Sequence, residues 1–277
     1  MKRKLLLCAV LITAILATML VGCSKEKDRF ESDFKPATEE QTATAVKKLE
    51  RLVAVEEAVK KNLKYEGEEV SKKNMIMEGK MSGSASEGGM SASFTSKSVE
   101  KYDFSVPGSY KLSGDYTMSI NYLGQNVNTT MGMYVDTADG LFYVSVGNQK
   151  GYTSGVPMSQ IESYFESNGQ QLSVKEILQC ITDAVCEVSV DSRGNIKVTD
   201  INDTNFPDLT YVVLFEDDNN YSVKKSFTTN VSGITCYCEI TILPTDEKVN
   251  APSDKDQYEE MSVSGIGNMI RNALGGF

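Results

Sequence analysis

The sequence predicts an α+β fold in which an antiparallel meander of strands is preceded, interrupted and followed by helices. Three observations carry this. Between Tyr110 and Tyr122 apolar and polar residues alternate with period two, the signature of a strand with one dry and one wet face. Short Gly/Asn/Asp-rich stretches separate many such runs, as hairpin turns require. Stretches with apolar residues three and four apart mark amphipathic helices among them.

The chain opens with Lys2, Arg3 and Lys4, followed by an apolar run from Leu5 to Val21. That is the layout of a secretory signal, and it falls short of the ~20 residues a spanning helix needs. The run ends in Leu20-Val21-Gly22-Cys23, which resembles the lipobox of a bacterial lipoprotein signal peptide. The resemblance implies cleavage before Cys23, acylation of its thiol, and attachment to the membrane on the extracytoplasmic face. Residues 1–22 are then signal peptide. The polar, charged stretch 23–41 is expected to be a flexible tether.

Residues 42–252 are expected to form the folded body. Val46, Leu49, Leu52, Val53, Val59 and Leu63 make Thr42–Leu63 an amphipathic helix, and the charged stretch from Lys64 to Lys73 ends it. Period-two strands follow: Met75, Met77 and Met81 on one face, a turn at Gly88-Gly89, then Met90, Ala92 and Phe94. Tyr116, Met118 and Ile120 share the apolar face of the next run. After a turn at Leu123–Asn126, Val127, Met131, Met133 and Val135 line up again, and Asp136–Gly140 turns the chain into Leu141–Val146. Ser159 with Glu162 and Ser173 with Glu176 have capping-box spacing, which predicts helices at Gln160–Phe165 and Val174–Val185. Strands return at Cys186–Val190, Ile196–Ile201, Leu209–Phe215, Tyr221–Thr229 and Ile234–Leu243. Residues 253–277 are expected to be an amphipathic segment weakened by Gly265 and Gly267.

Composition removes whole classes of function. The chain has no histidine, which excludes Ser-His-Asp and Cys-His nucleophilic catalysis and His-containing zinc or haem sites. It has no tryptophan either, so a sugar-stacking platform would have to use some of the 13 tyrosines. Of 28 basic residues the signal removes three, and the 25 that remain against 38 acidic ones leave the mature chain at −13. So acidic a body argues against nucleic acid and against a basic lipid-binding patch. No phosphate loop, nucleophile elbow or nucleotide fingerprint is present, and no cofactor is expected. The acidic turns Asp136–Gly140 and Glu216–Asp218 lack the ligand spacing of a calcium loop and read as hairpin turns.

Four cysteines remain beyond Cys23. Cys236 and Cys238 sit two apart in a strand and share a face, which disfavours a bond between them. Either Cys180 or Cys186 bridges to one of that pair, or all four are buried thiols. The C-x5-C and C-x-C spacings do not suit zinc, and no metal site is expected.

The methionines of the strand faces suggest a surface suited to varied apolar shapes, since their side chains are unbranched and polarizable. Met75, Met77, Tyr116, Met118, Ile120, Met131 and Met133 are the candidate lining of a hydrophobic site. Plain core packing is the competing reading. With its order of helix, strand meander, helices, second strand set and a Leu243-Pro244 ending, the region from 42 to 255 resembles the LolA/LppX-like lipoproteins. That resemblance implies a curved antiparallel half-barrel with helices packed on its concave face, a lipid-like ligand between them, and no enzymatic activity. The function expected is a lipid-anchored envelope protein that binds such a ligand. The alternative is a cell-envelope protein-interaction module with a filled core.

Overall fold

The computed structural model describes residues 29–60, 64–65, 68–69, 74–87, 90–106, 109–122, 125–156, 174–200, 208–231 and 234–273. The signal segment with Cys23, and the helix expected at Gln160–Phe165, lie outside the described residues. In chain order the elements are β1 (Lys35–Pro36), α1 (Glu39–Lys60), β2 (Lys64–Tyr65), β3 (Glu68–Glu69), β4 (Asn74–Glu87), β5 (Met90–Asp103), β6 (Lys111–Tyr122), β7 (Gln125–Asp136), β8 (Leu141–Val146) and β9 (Gln149–Thr153). There follow α2 (Val174–Thr182), β10 (Cys186–Val190), β11 (Ile196–Asp200), β12 (Thr210–Phe215), β13 (Tyr221–Val231), β14 (Ile234–Thr245), β15 (Glu259–Glu260) and α3 (Val263–Ala273).

Thirteen strands form one sheet in the order β1-β10-β11-β12-β13-β14-β4-β5-β6-β7-β8-β9-β15, while β2 and β3 pair separately. Every neighbouring pair is antiparallel except β15 on β9, which makes the sheet mixed. The two sequential meanders, β4–β9 and β10–β14, join where β14 pairs with β4 from Thr235↔Ser84 to Thr245↔Asn74.

The half-barrel expectation is corrected: the sheet is open and neither closed nor curled. Curvature of an antiparallel sheet is introduced by bulges that shift the register. Here each pair keeps one register from end to end, as in the thirteen partners of β4 and β5 from Met75↔Tyr102 to Glu87↔Met90. The edges are two-residue stubs. Pro36 has no N–H to offer a further strand, and Glu259–Glu260 places charge on the other edge.

Among the described residues three α-helices lie on one face of the sheet, but over different strands. α1 starts with a reciprocal capping box: Gln41 N donates to Thr38 Oγ1 at 3.2 Å and Thr38 N donates to Gln41 Oε1 at 2.9 Å. Its buried stripe Ala45, Leu49 and Leu52 meets Val174, Ile177 and Ile181 of α2 in the main core, with Ile196, Val198, Val213, Val223 and Ile240 of the sheet beneath. α2 ends in a Schellman motif, with Val185 N donating to Cys180 O, Ala184 N donating to Ile181 O, and Ala184 left-handed at φ 52°. α3 has its own seat over β8, where Ile266 and Met269 pack on Val144 and Val146.

The stretch expected to be a tether is docked from Arg29 onward. Phe30 is buried against Val212 and Leu214 on the opposite face of the sheet, with Phe34 and Leu243 beside it. Ser32 donates to Asp191 at 3.0 Å, and Lys35–Pro36 pairs with Ser189–Val190. Two aromatics, Phe30 and Phe34, in a short charged stretch are too few to set up a period, which is why periodicity missed this strap.

Candidate functional site

Antiparallel register places the expected site residues on one face, with Met131 directly opposite Tyr116 and Met133 opposite Gly114 on β6 and β7, while Met75 and Met77 on β4 are separated from them by β5. Tyr116, Met118 and Ile120 alternate along β6 and are 3–5% exposed. Met118 and Ile120 belong to the main core, and Met75 and Met77 pack against it half-buried. Met131 and Met133 pack instead beneath α3, with Phe142, Val144 and Val146. The seven residues are thus divided among the packed groups, Met118 and Ile120 in the main core and Met131 and Met133 in the cluster beneath α3. A cleft of about 220 Å³ lies elsewhere, between the β5–β6 connection and the 248–250 segment, lined by Asp103, Ser105, Tyr110, Lys111, Lys248 and Asn250 among others. It contains none of the seven.

Between the α1–α2 pair and α3 the inner face is small and polar. Gly79 faces Ser98 across β4 and β5, while Glu100 lies between Met77 and Gly114 on the neighbouring strands. Ser96, Ser98 and Glu100 are 2–3% exposed. The Glu100 carboxylate accepts a hydrogen bond from the Tyr102 hydroxyl at 2.6 Å on one oxygen and from the Tyr116 hydroxyl at 3.1 Å on the other. Gly114 makes the second bond reachable. A Cβ there would stand 2.6 Å from Tyr116 Oη, so only a glycine lets the phenol fold back along its own strand.

Burial pushes the Glu100 carboxyl up to about 7, and the two phenol donors hold it back from rising further. The Tyr102 hydroxyl is pushed well above its ordinary value by burial and by the Glu100 charge. Chemically, the cluster can hold or release one proton near neutral pH. Sequence reasoning passed over Glu100, although parity marks it: it sits on the face of β5 that carries Ala92 and Phe94.

A second buried charge lies under α2. Lys225, on the inner face of β13, is 3% exposed, 3.5 Å from Glu176 and above the rings of Tyr211 at 5.2 Å and Phe227 at 5.6 Å. An ammonium over two aromatic faces with a carboxylate alongside is a satisfied internal cation.

The cysteines Cys180, Cys186, Cys236 and Cys238 all belong to the main core or its margin, and no disulfide joins them. Cys236 and Cys238 share the buried face of β14, with burial raising both thiols and Cys238 reaching about 12. Among the described residues no group of His, Cys, Asp or Glu side chains is placed to hold a metal. The acidic turns are occupied by backbone: Asp136 accepts from the amides of Ala138 and Asp139 and pairs with Lys111 at 3.1 Å, and Asp217 accepts from those of Asn219 and Asn220.

Together these features define an α+β protein with a wide open sheet, the α-helices of the described residues on one face and a buried carboxyl–phenol cluster on that same face. No family model matches the chain, and no curated protein matches it.

Proposed function

We propose that this is a non-enzymatic, lipid-anchored protein of the cell envelope, tied to the extracytoplasmic side of the membrane through Cys23, which acts as an interaction module with a filled core. The observation that carries this reading is the division of the seven candidate pocket residues among separately packed groups, with Tyr116, Met118 and Ile120 only 3–5% exposed. A ligand pocket of roughly 300 Å³ or more needs its lining to converge on shared space. The surface offered to a partner is the other face of β4–β6, where Ser82, Ser84, Thr95, Thr117 and Ser119 stand exposed.

Native mass spectrometry of the purified chain beginning at Ser24, with a fluorescent fatty acid as probe, tests the filled core. The expected result is the mass of the bare polypeptide and no uptake; stoichiometric uptake overturns it. Photo-crosslinking in cells tests the surface. A crosslinker at Thr117 is expected to trap one discrete envelope partner that the same group at Lys175 on α2 does not, and equal or no products at both positions overturn the assignment.

A second reading, retention of a lipid-like ligand, is favoured by one observation. Met131 and Met133 are only half-buried beneath an eleven-residue helix. Uptake of the fatty acid that Met131→Ser abolishes would favour it.

A further inference from the structure

The segment carrying α3 differs in chemistry from the rest of the chain. From Met261 to Ala273 there is one charge, Arg271, and no carboxylate, in a mature protein of net charge −13. Immediately before it, Asp254, Asp256, Glu259 and Glu260 are acidic. α3 is capped by Ser262, whose hydroxyl accepts from Gly265 N at 3.1 Å. One side of it, Ile266 and Met269, is 2% and 6% exposed on the β8 seat, while Val263 stands 54% exposed at its start.

The segment is held at its start, where Lys150 donates to Asp254 and to Gln257, and Tyr258 packs edge-on against Tyr143. Its strand, β15, pairs with β9 over two residues, continued by Met261 N donating to Tyr152 O at 2.7 Å. Gly267 sits inside the helix although neither packing nor backbone requires a glycine there: an added Cβ would meet nothing within 4 Å, and its φ is not left-handed. An unforced glycine lowers helix stability on the seat. The seat itself includes Met131 and Met133, residues that repack readily.

We propose that α3 is a membrane-docking helix that exchanges its apolar side between the β8 seat and the surface of a lipid bilayer. A short amphipathic helix binds an interface through buried apolar area together with attraction to anionic headgroups. Met261–Ala273 supplies the apolar residues and a cation, and it lacks the carboxylates by which the remainder of the chain is repelled from an anionic surface. The proposal rests on the reading of Cys23 as a lipid anchor only in that the anchor keeps a bilayer within reach.

The test uses the chain beginning at Ser24, which keeps every described residue and omits the anchor. Because the protein has no tryptophan, Val263→Trp introduces a single fluorophore on α3, and Thr117→Trp places one on the exposed outer face as a control. With mixed phosphatidylcholine–phosphatidylglycerol vesicles, the emission of V263W is expected to shift to the blue and that of T117W to stay unchanged. Val263→Asp, at an exposed position, is expected to weaken co-flotation about tenfold while leaving the circular dichroism spectrum intact. An unshifted V263W emission, or equal flotation of V263D and the parent chain, overturns the proposal. Acylation of Cys23 is read separately, from the mass of the full-length protein extracted from membranes against that of Cys23→Ala, so the two readings fail separately.

Discussion

The Tyr102 hydroxyl donates to Glu100 at 2.6 Å from the same strand, two residues along, and ties a buried carboxyl to the aromatic group formed with Phe104 and Tyr110. Glu100 has its carboxyl raised from 4.5 to about 7 by burial, so the folded protein holds a proton there that the unfolded chain has released. The stabilisation linked to that proton is fully present below about pH 4.5 and is lost as pH rises through about 7. It amounts to about 3 kcal/mol at ~1.4 kcal/mol per unit. Urea unfolding from pH 5 to 8 is expected to show this loss in the parent chain, and a flatter profile in Glu100→Gln. Equal slopes in both proteins would count against it.

Phe94 pairs with Gly83 on the neighbouring strand, and a Cβ at position 83 would stand 2.6 Å from Phe94 Cε1 and 3.1 Å from Cys236 Sγ. Phe94 and Cys236 are 2% and 0% exposed, so neither can swing away into solvent. Gly83→Ala is therefore expected to cost about 1–3 kcal/mol through overpacking, read as a lower urea midpoint with an unchanged slope. A midpoint equal to the parent's would mean that the ring moves freely.

Ala184 occupies the left-handed position of the Schellman motif that ends α2, where a side chain is strained. Ala184→Gly is expected to raise stability by about 0.5–1 kcal/mol, the relief of strain exceeding the added freedom of the unfolded chain. Thermal unfolding checks the sign. A lowered Tm would show that the unfolded-state term dominates.

Burial raises the thiols of Cys236 and Cys238, the latter to about 12, so little thiolate forms at pH 8. In the folded chain beginning at Ser24, a thiol reagent is expected to modify Cys236 and Cys238 at least tenfold more slowly than the half-buried Cys180 and Cys186. After denaturation four thiols should react. Fewer than four would reveal a disulfide in the isolated protein.

The sequence alone determined those elements whose signal is local. The strands Cys186–Val190 and Leu141–Val146 have the bounds read from the chain, the alternation of Tyr110–Tyr122 matches β6, and the period of Val174–Val185 matches α2 to within its last turn. β9 escaped because Gln149–Thr153 is five residues long, polar and carries Gly151. The first turn of α1 escaped because its capping box, Thr38 with Gln41, lies in a stretch otherwise read as tether. Tertiary structure decided everything that depends on long-range pairing and burial. The junction of β14 with β4 brings together residues about 150 positions apart, and its unbroken register keeps the sheet open where the resemblance implied a half-barrel. The assignment of Met118 and Met131 to two packed clusters follows from which helices cover which strands, and the carboxyl of Glu100 near 7 follows from its burial. Parity along a strand names the face a side chain shares, but what covers that face is set by contacts the local sequence does not encode.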